Sequence, residues 1–192
     1  MPTRTYEMTA RAESAAATRE DILAATVALA YELEHVDFPL DQVAQRAGRS
    51  VQTILRQFGS RDGLFEAAIQ RGAAEVAAER RPPDGDTDVA LDLLVEHYEL
   101  RGRFVLRLLA MGDQHGAQAV TGPGKLLHRG WVEDVFADVL AKAVDGTALV
   151  DRLVVVTDVH AWELLRLDRG LDPETVRRRL GEMVDAMIGA KR

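Results

Sequence analysis

The chain has 192 residues, of which 47% are apolar and 29% charged, with a formal net charge of -7 and no cysteine. This composition supports a folded core and excludes wholesale disorder, and the absence of cysteine excludes disulfide scaffolds, thiolate metal centres and cysteine nucleophiles. No apolar run approaches the roughly 18 residues of a membrane span, and Arg4, Glu7, Arg11 and Glu13 stand where a signal peptide would be apolar. A soluble cytoplasmic protein with no membrane segment is therefore expected.

In chain order, residues 1–17 lack periodicity and read as a flexible N-terminal arm. From Thr18 the pattern turns helical. Thr18 is a candidate cap, and Ile22, Ala25, Thr26, Leu29, Ala30 and Leu33 recur at spacings of three and four. Pro39 suits the first position of a short second helix, with Leu40, Val43, Ala44 and Ala47 inward and Gly48 as its stop. Ser50 caps a third, in which Ile54, Leu55 and Phe58 can face the core while Val51, Gln52, Thr53, Arg56 and Gln57 point outward or lie at the edges. Ser60 caps a fourth, with Leu64, Phe65, Ala68, Ile69 and Val76 inward, ending near Arg81.

Within this region the stretch between Asp41 and Asp62 contains Arg46, Arg49, Arg56 and Arg61 and no carboxylate. A window of charge +4 inside an acidic chain marks a local basic face, and the field over the contacting face matters more than the overall pI. Two short runs joined through a Gly-containing turn are the grammar of a helix-turn-helix.

The order Val43-Ala44-x-x-Ala47-Gly48, Ser50-x-x-Thr53-Ile54, Phe58 and Ser60-Arg61-x-Gly63-Leu64-Phe65 resembles the DNA-binding domain of TetR-family transcriptional regulators, without a gap from Thr18 to Ile69. The resemblance implies an all-α protein, with a helix-turn-helix domain over residues 18–65 and a helical effector-binding and dimerisation domain over residues 66–192. Four positions depart from the family's habit. Neither a glycine near Glu34 nor a small hydroxyl residue near Phe38 or Pro39 is present, Val51 stands where a lysine is common, and Leu55 where a tyrosine is common. The last two usually hold the DNA backbone, so either Arg49, Arg56 or Arg61 compensates or the complex is weaker and more salt-sensitive.

Pro82-Pro83-Asp84-Gly85-Asp86 breaks the helical pattern. Asp84, Asp86 and Asp88 are spaced like the opening of a calcium loop, but Val89 and Val95 stand where that loop needs glycine and glutamate; a linker is expected, and no metal or other cofactor. Beyond it the reading is helical throughout. One helix starts with Val89 to Tyr98, and Phe104 to Met111 forms a further apolar segment. Gly112 to Gly124 is a loop or broken helix, and Pro123 opens a long helix carrying Trp131 and Val135. After Asp145-Gly146-Thr147 a helix runs to about Arg169. In the final helix Asp172 caps, Pro173 fills the first turn, and Val176, Leu180, Met183 and Met187 form a seam.

No H-x-x-x-H pair, G-x-S-x-G elbow or Walker loop occurs, so an enzyme is not expected. Arginine matches guanine and glutamine matches adenine in the major groove, which makes Gln52, Arg56 and Gln57 candidate base readers. Arg49, Ser50, Thr53 and Arg61 are candidate phosphate contacts, with Val51 and Leu55 at family contact positions. The resemblance further implies a homodimer on a near-palindromic double-stranded operator, acting as a repressor released by a small-molecule effector. Candidate pocket walls are Tyr98, Phe104, Met111, His115, His128, Trp131 and Trp162. Candidate dimer contacts, on the last two long helices, are Val156, His160, Val176, Leu180, Met183 and Met187. The alternative is a helical dimeric interaction module with weakened or lost DNA binding, suggested by the apolar Val51 and Leu55.

Overall fold

A computed structural model describes residues 3–82, 86–112 and 116–189, with side chains from residue 12 onward. His115 and the Pro83-Asp84-Gly85 part of the break lie outside the described residues. Among those residues the secondary structure is helical, with no strand. The chain forms two compact units, Met1–Gly72 and Ala73–Arg192.

The first unit contains α1 (Thr3–Leu33), α2 (Leu40–Ala47), α3 (Val51–Phe58) and the start of α4 (Arg61–Glu79). Its core joins Ile22, Leu23 and Leu29 of α1 to Phe38, Val43, Ala44, Ile54, Leu64 and Ala68. α1 begins at Thr3, so the stretch expected as an arm is helical and Thr18 is not a cap. Its hydroxyl instead donates to the Ser14 carbonyl at 2.9 Å, one turn back. Residues 3–17 contain no proline or glycine and are rich in alanine, which favours helix by propensity alone. They lack an apolar stripe because their side chains from Ala12 on stay largely exposed, and periodicity reports burial rather than helicity. Pro39 precedes α2 as its N-cap residue instead of opening it.

The second unit contains α5 (Thr87–Met111), α6 (Ala117–Val135), α7 (Ala137–Leu140), α8 (Gly146–Val156), α9 (Val159–Glu163) and α10 (Pro173–Ile188). A π-helical segment, Leu164–Asp168, follows α9 directly. The two apolar segments before Met111 are one helix. α6 starts at Ala117, so Pro123 lies inside it rather than at its head. The helix expected to run to Arg169 is interrupted at Thr157-Asp158, because Asp158 turns its carboxylate onto the His160 N–H (2.9 Å) and starts α9 as an N-cap. The β-prone Leu153–Val156 block is helical, as expected. Asp86, Asp145 and Asp172 cap α5, α8 and α10, and Pro173 occupies the first turn of α10. A core built from Leu91, Leu94, Leu153, Trp162, Val176 and Leu180, among others, fills the interior.

Candidate nucleic-acid interface and a buried polar cluster

The sequence shapes the α2–α3 turn in three steps. α2 ends at Gly48, and the Arg49 N–H returns to the Ala44 carbonyl at 2.9 Å. Ser50 then takes extended backbone and its Oγ accepts the Thr53 N–H at 3.1 Å, satisfying an orphan donor at the head of α3. Ile54, fully buried, pins α3 to the core. At the other end Ser60 Oγ accepts the Gly63 N–H at 3.0 Å. A Cβ on Gly63 would sit 2.4 Å from the Phe58 carbonyl oxygen, so the motif glycine is what lets α4 start this close behind α3.

The opposite face of α3 is open to solvent through Gln52, Leu55 and Arg56. Leu55, expected to reach the core, is 41% exposed: it lies about 100° round the helix from the buried Ile54, while Phe58 lies on Ile54's side. The four arginines separate into two kinds. Arg46 pairs with Glu32, Arg49 with Asp21 at 2.8 Å, and Arg61 with Asp37 at 2.7 Å. Arg56 has no ion-pair or hydrogen-bond partner among the described residues. Gln57, expected to read bases, is turned toward α1, where its Nε2 lies 3.4 Å from the Ala15 carbonyl oxygen. Ser50 and Thr53 bond each other at 2.9 Å, and Val51 is half-buried against the core. Exposed pairs of this kind contribute about 0–1 kcal/mol, so Arg49 and Arg61 can exchange their carboxylates for phosphates at small cost, whereas Arg56 has nothing to exchange.

In the second unit the expected pocket residues are mostly core. Tyr98, Trp131 and Trp162 belong to its apolar cluster, and Phe104 and Met111 are half-buried. Their polar atoms are committed: Tyr98 donates to the Thr157 carbonyl (2.8 Å), Trp131 to the Arg80 carbonyl (2.9 Å) and Trp162 to Glu99 (2.8 Å). A cavity of about 510 Å³ does open in this unit, but Lys142, Leu149, Arg152, Met187 and Ile188 are among its walls and none of the expected pocket residues that are described is.

The feature missed in the sequence is a buried polar cluster around Arg80. Arg80 is 4% exposed, and His97, His128 and Thr157 are buried near it. The guanidinium carbon lies 4.6 Å over the Trp131 ring, and Nη2 is 2.8 Å from His128 Nδ1. His128 Nε2 faces the Thr157 hydroxyl (3.2 Å) and the Val154 carbonyl (3.3 Å). Because the Thr157 hydroxyl donates to the Leu153 carbonyl at 2.6 Å, His128 Nε2 carries a proton and Nδ1 accepts from Arg80. Burial, helped by the Arg80 charge, holds His128 and His97 neutral, with pKa values down to about 4. Glu79 does not balance Arg80: its carboxylate accepts from Arg101 at 3.0 Å and faces His97 at 3.4 Å, and those partners hold its pKa below the ordinary value. A desolvated cation–π contact contributes about 2 kcal/mol and one charge-assisted bond about 1.5–3 kcal/mol, while removing an ion from water costs several. The balance is close to unfavourable, and Arg80 Nε is left buried with no acceptor. One clue was available: Arg80 lies one turn beyond Val76, on the stripe read as inward. No group of three or more His, Asp or Glu among the described residues is arranged to hold a metal ion.

Of the expected dimer residues, Val156, Val176 and Leu180 are buried in the chain's own core and have no surface for a partner. Helical spacing defined the α10 seam without saying which neighbour it packs on. Met183 is 37% exposed and His160 is exposed, while Met187 is part-buried beside the cavity. Open apolar side chains of this unit outside that set include Leu100, Leu126, Val144, Val155 and Leu164.

No family model matches the sequence, and no curated protein does. Among solved structures, the crystal structure of a Rhodococcus sp. chain assigned to the TetR-family transcriptional regulators is similar, at 20% identity and a TM-score of 0.64, over 89% of this chain and 98% of that one. The α2–turn–α3 element followed by a helical second unit is thus part of a shared architecture, and the protein has the all-α fold of that TetR-family structure.

Proposed function

We propose that the protein is a sequence-specific DNA-binding transcriptional regulator that acts as a homodimer in the cytoplasm. It represses by occupying a near-palindromic operator and is released when a small molecule binds the second unit. The single observation that carries this reading is the solvent face of α3. Gln52 and Arg56 lie there one turn apart, the side chains suited to adenine and guanine edges, on a helix pinned by Ile54 and capped by Ser50. The shared fold supports it. Two such helices about 34–36 Å apart would meet successive major grooves, and an effector that prefers a differently spaced dimer would withdraw them. Met183, Val155 and Leu164, with Leu100, Leu126 and Val144, are among the apolar side chains open to a second copy.

A second reading has its own observation. Leu55 is exposed where a hydrogen-bonding side chain would hold a phosphate, and Val51 is turned into the core, which fits a dimeric helical module that has lost DNA binding. Selection of duplexes from a random pool distinguishes them. A regulator enriches near-palindromes whose half-sites are one helical turn apart; the interaction module enriches nothing, and that result would overturn the proposal.

A further inference from the structure

We propose that Arg80 is the anchor for the carboxylate of a small organic acid, which is the effector class this protein senses. The inference rests on reading the second unit as an effector domain and goes beyond it by naming the chemistry.

A guanidinium inside a protein is ordinarily paired, because it cannot shed its charge and its desolvation must be offset. Arg80 is 4% exposed, yet no carboxylate among the described residues pairs with it. Its contacts are neutral: the face of Trp131 and the Nδ1 of a histidine that carries no charge. Its Nε–H is buried without an acceptor. The neighbouring carboxylate, Glu79, is turned to Arg101 and His97 instead.

The surroundings fix the class of ligand. A planar fork with an unused donor matches a carboxylate, which can accept two parallel N–H bonds. Trp131 and His128, stacked at an interplanar angle of 13°, are buried beside the guanidinium, so an acid reaching Arg80 would displace part of this packing and set its own body against the rings. A neutral amide would bring a carbonyl acceptor but no charge, so discrimination between an acid and its amide measures the uncompensated cation itself.

The test is calorimetric titration of the full chain at pH 7.5 with benzoate and octanoate, their amides benzamide and octanamide, and inorganic phosphate. The expected result is at least tenfold tighter binding of an acid than of its amide, with the preference abolished in Arg80→Gln. Equal binding of acid and amide by the wild type, or binding of neither, overturns the proposal, and this comparison stands even where the variant does not fold. An acid preference that survives in Arg80→Gln overturns it too. Tight phosphate binding without acid binding reassigns the site to phosphate and also counts against it. No DNA enters the experiment, so a negative result leaves operator recognition standing, and a failure to find an operator leaves this result standing.

Discussion

Arg80 Nη2 and His128 Nδ1 lie 2.8 Å apart in the interior of the second unit. That contact sets the state of the histidine, because a protonated Nδ1 would meet the guanidinium donor head-on. His128 and His97 are both held near a pKa of about 4 by burial and by the same arginine.

A pH dependence of stability follows. The unfolded chain protonates each histidine near pH 6.5, the folded chain only near pH 4, so between those values the unfolded state binds more protons. Stability is complete above about pH 6.5 and falls as the pH drops toward 4, by up to roughly 3 kcal/mol for each histidine. Glu79, whose pKa is lowered, adds to the loss below its ordinary range. Urea unfolding at pH 7.5, 5.5 and 4.5 should give successively lower midpoints, and His128→Gln should flatten the slope.

Gly102 packs against Trp162 so closely that an added Cβ would lie 2.7 Å from the indole ring. Gly102→Ala gains about 1 kcal/mol of helix propensity and loses about 1–3 kcal/mol to overpacking. A net destabilisation of about 1 kcal/mol is expected, read as a lower unfolding midpoint with an altered tryptophan near-ultraviolet spectrum. An unchanged midpoint and spectrum would mean the ring moves aside freely.

Glu34, just beyond the end of α1, is among the described residues the one non-glycine with positive φ, at 54°. The left-handed conformation costs a side-chain-bearing residue about 1–2 kcal/mol, and a carboxylate near a helix C-terminus opposes the dipole. Glu34→Gly should therefore raise stability by about 0.5–1 kcal/mol after the added entropy of glycine, measured by thermal unfolding. The glycine that the resemblance leads one to expect here is thus missed by the backbone as well as by the motif.

How far the sequence was readable depends on what each residue answers to. Ser50, Ser60, Asp172 and the buried Ile54 answer to local geometry, and each stands where its spacing placed it. The helical start of α1 was hidden because alanine-rich exposed turns carry no apolar stripe. The break at Asp158 was hidden because one carboxylate turning onto the His160 N–H decides it. Leu55 was misplaced, and the direction of Gln57 toward α1 left open, because small rotations about α3 decide both and a pattern of eight residues is insensitive to them. Of the Arg80 cluster only the inward position of Arg80 itself was legible, one turn beyond Val76, since Arg80, His97, His128 and Thr157 come from four separate segments.

In the proposed regulator α3 reads bases through Arg56. The most direct measurement is titration of the selected duplex with wild type, Arg56→Ala and Arg61→Ala at one salt concentration. Arg56→Ala should weaken binding roughly tenfold to a hundredfold and relax the preference at one half-site position, while Arg61→Ala should weaken all sequences more evenly. Unchanged affinity and preference in Arg56→Ala would mean that α3 does not read bases through this side chain.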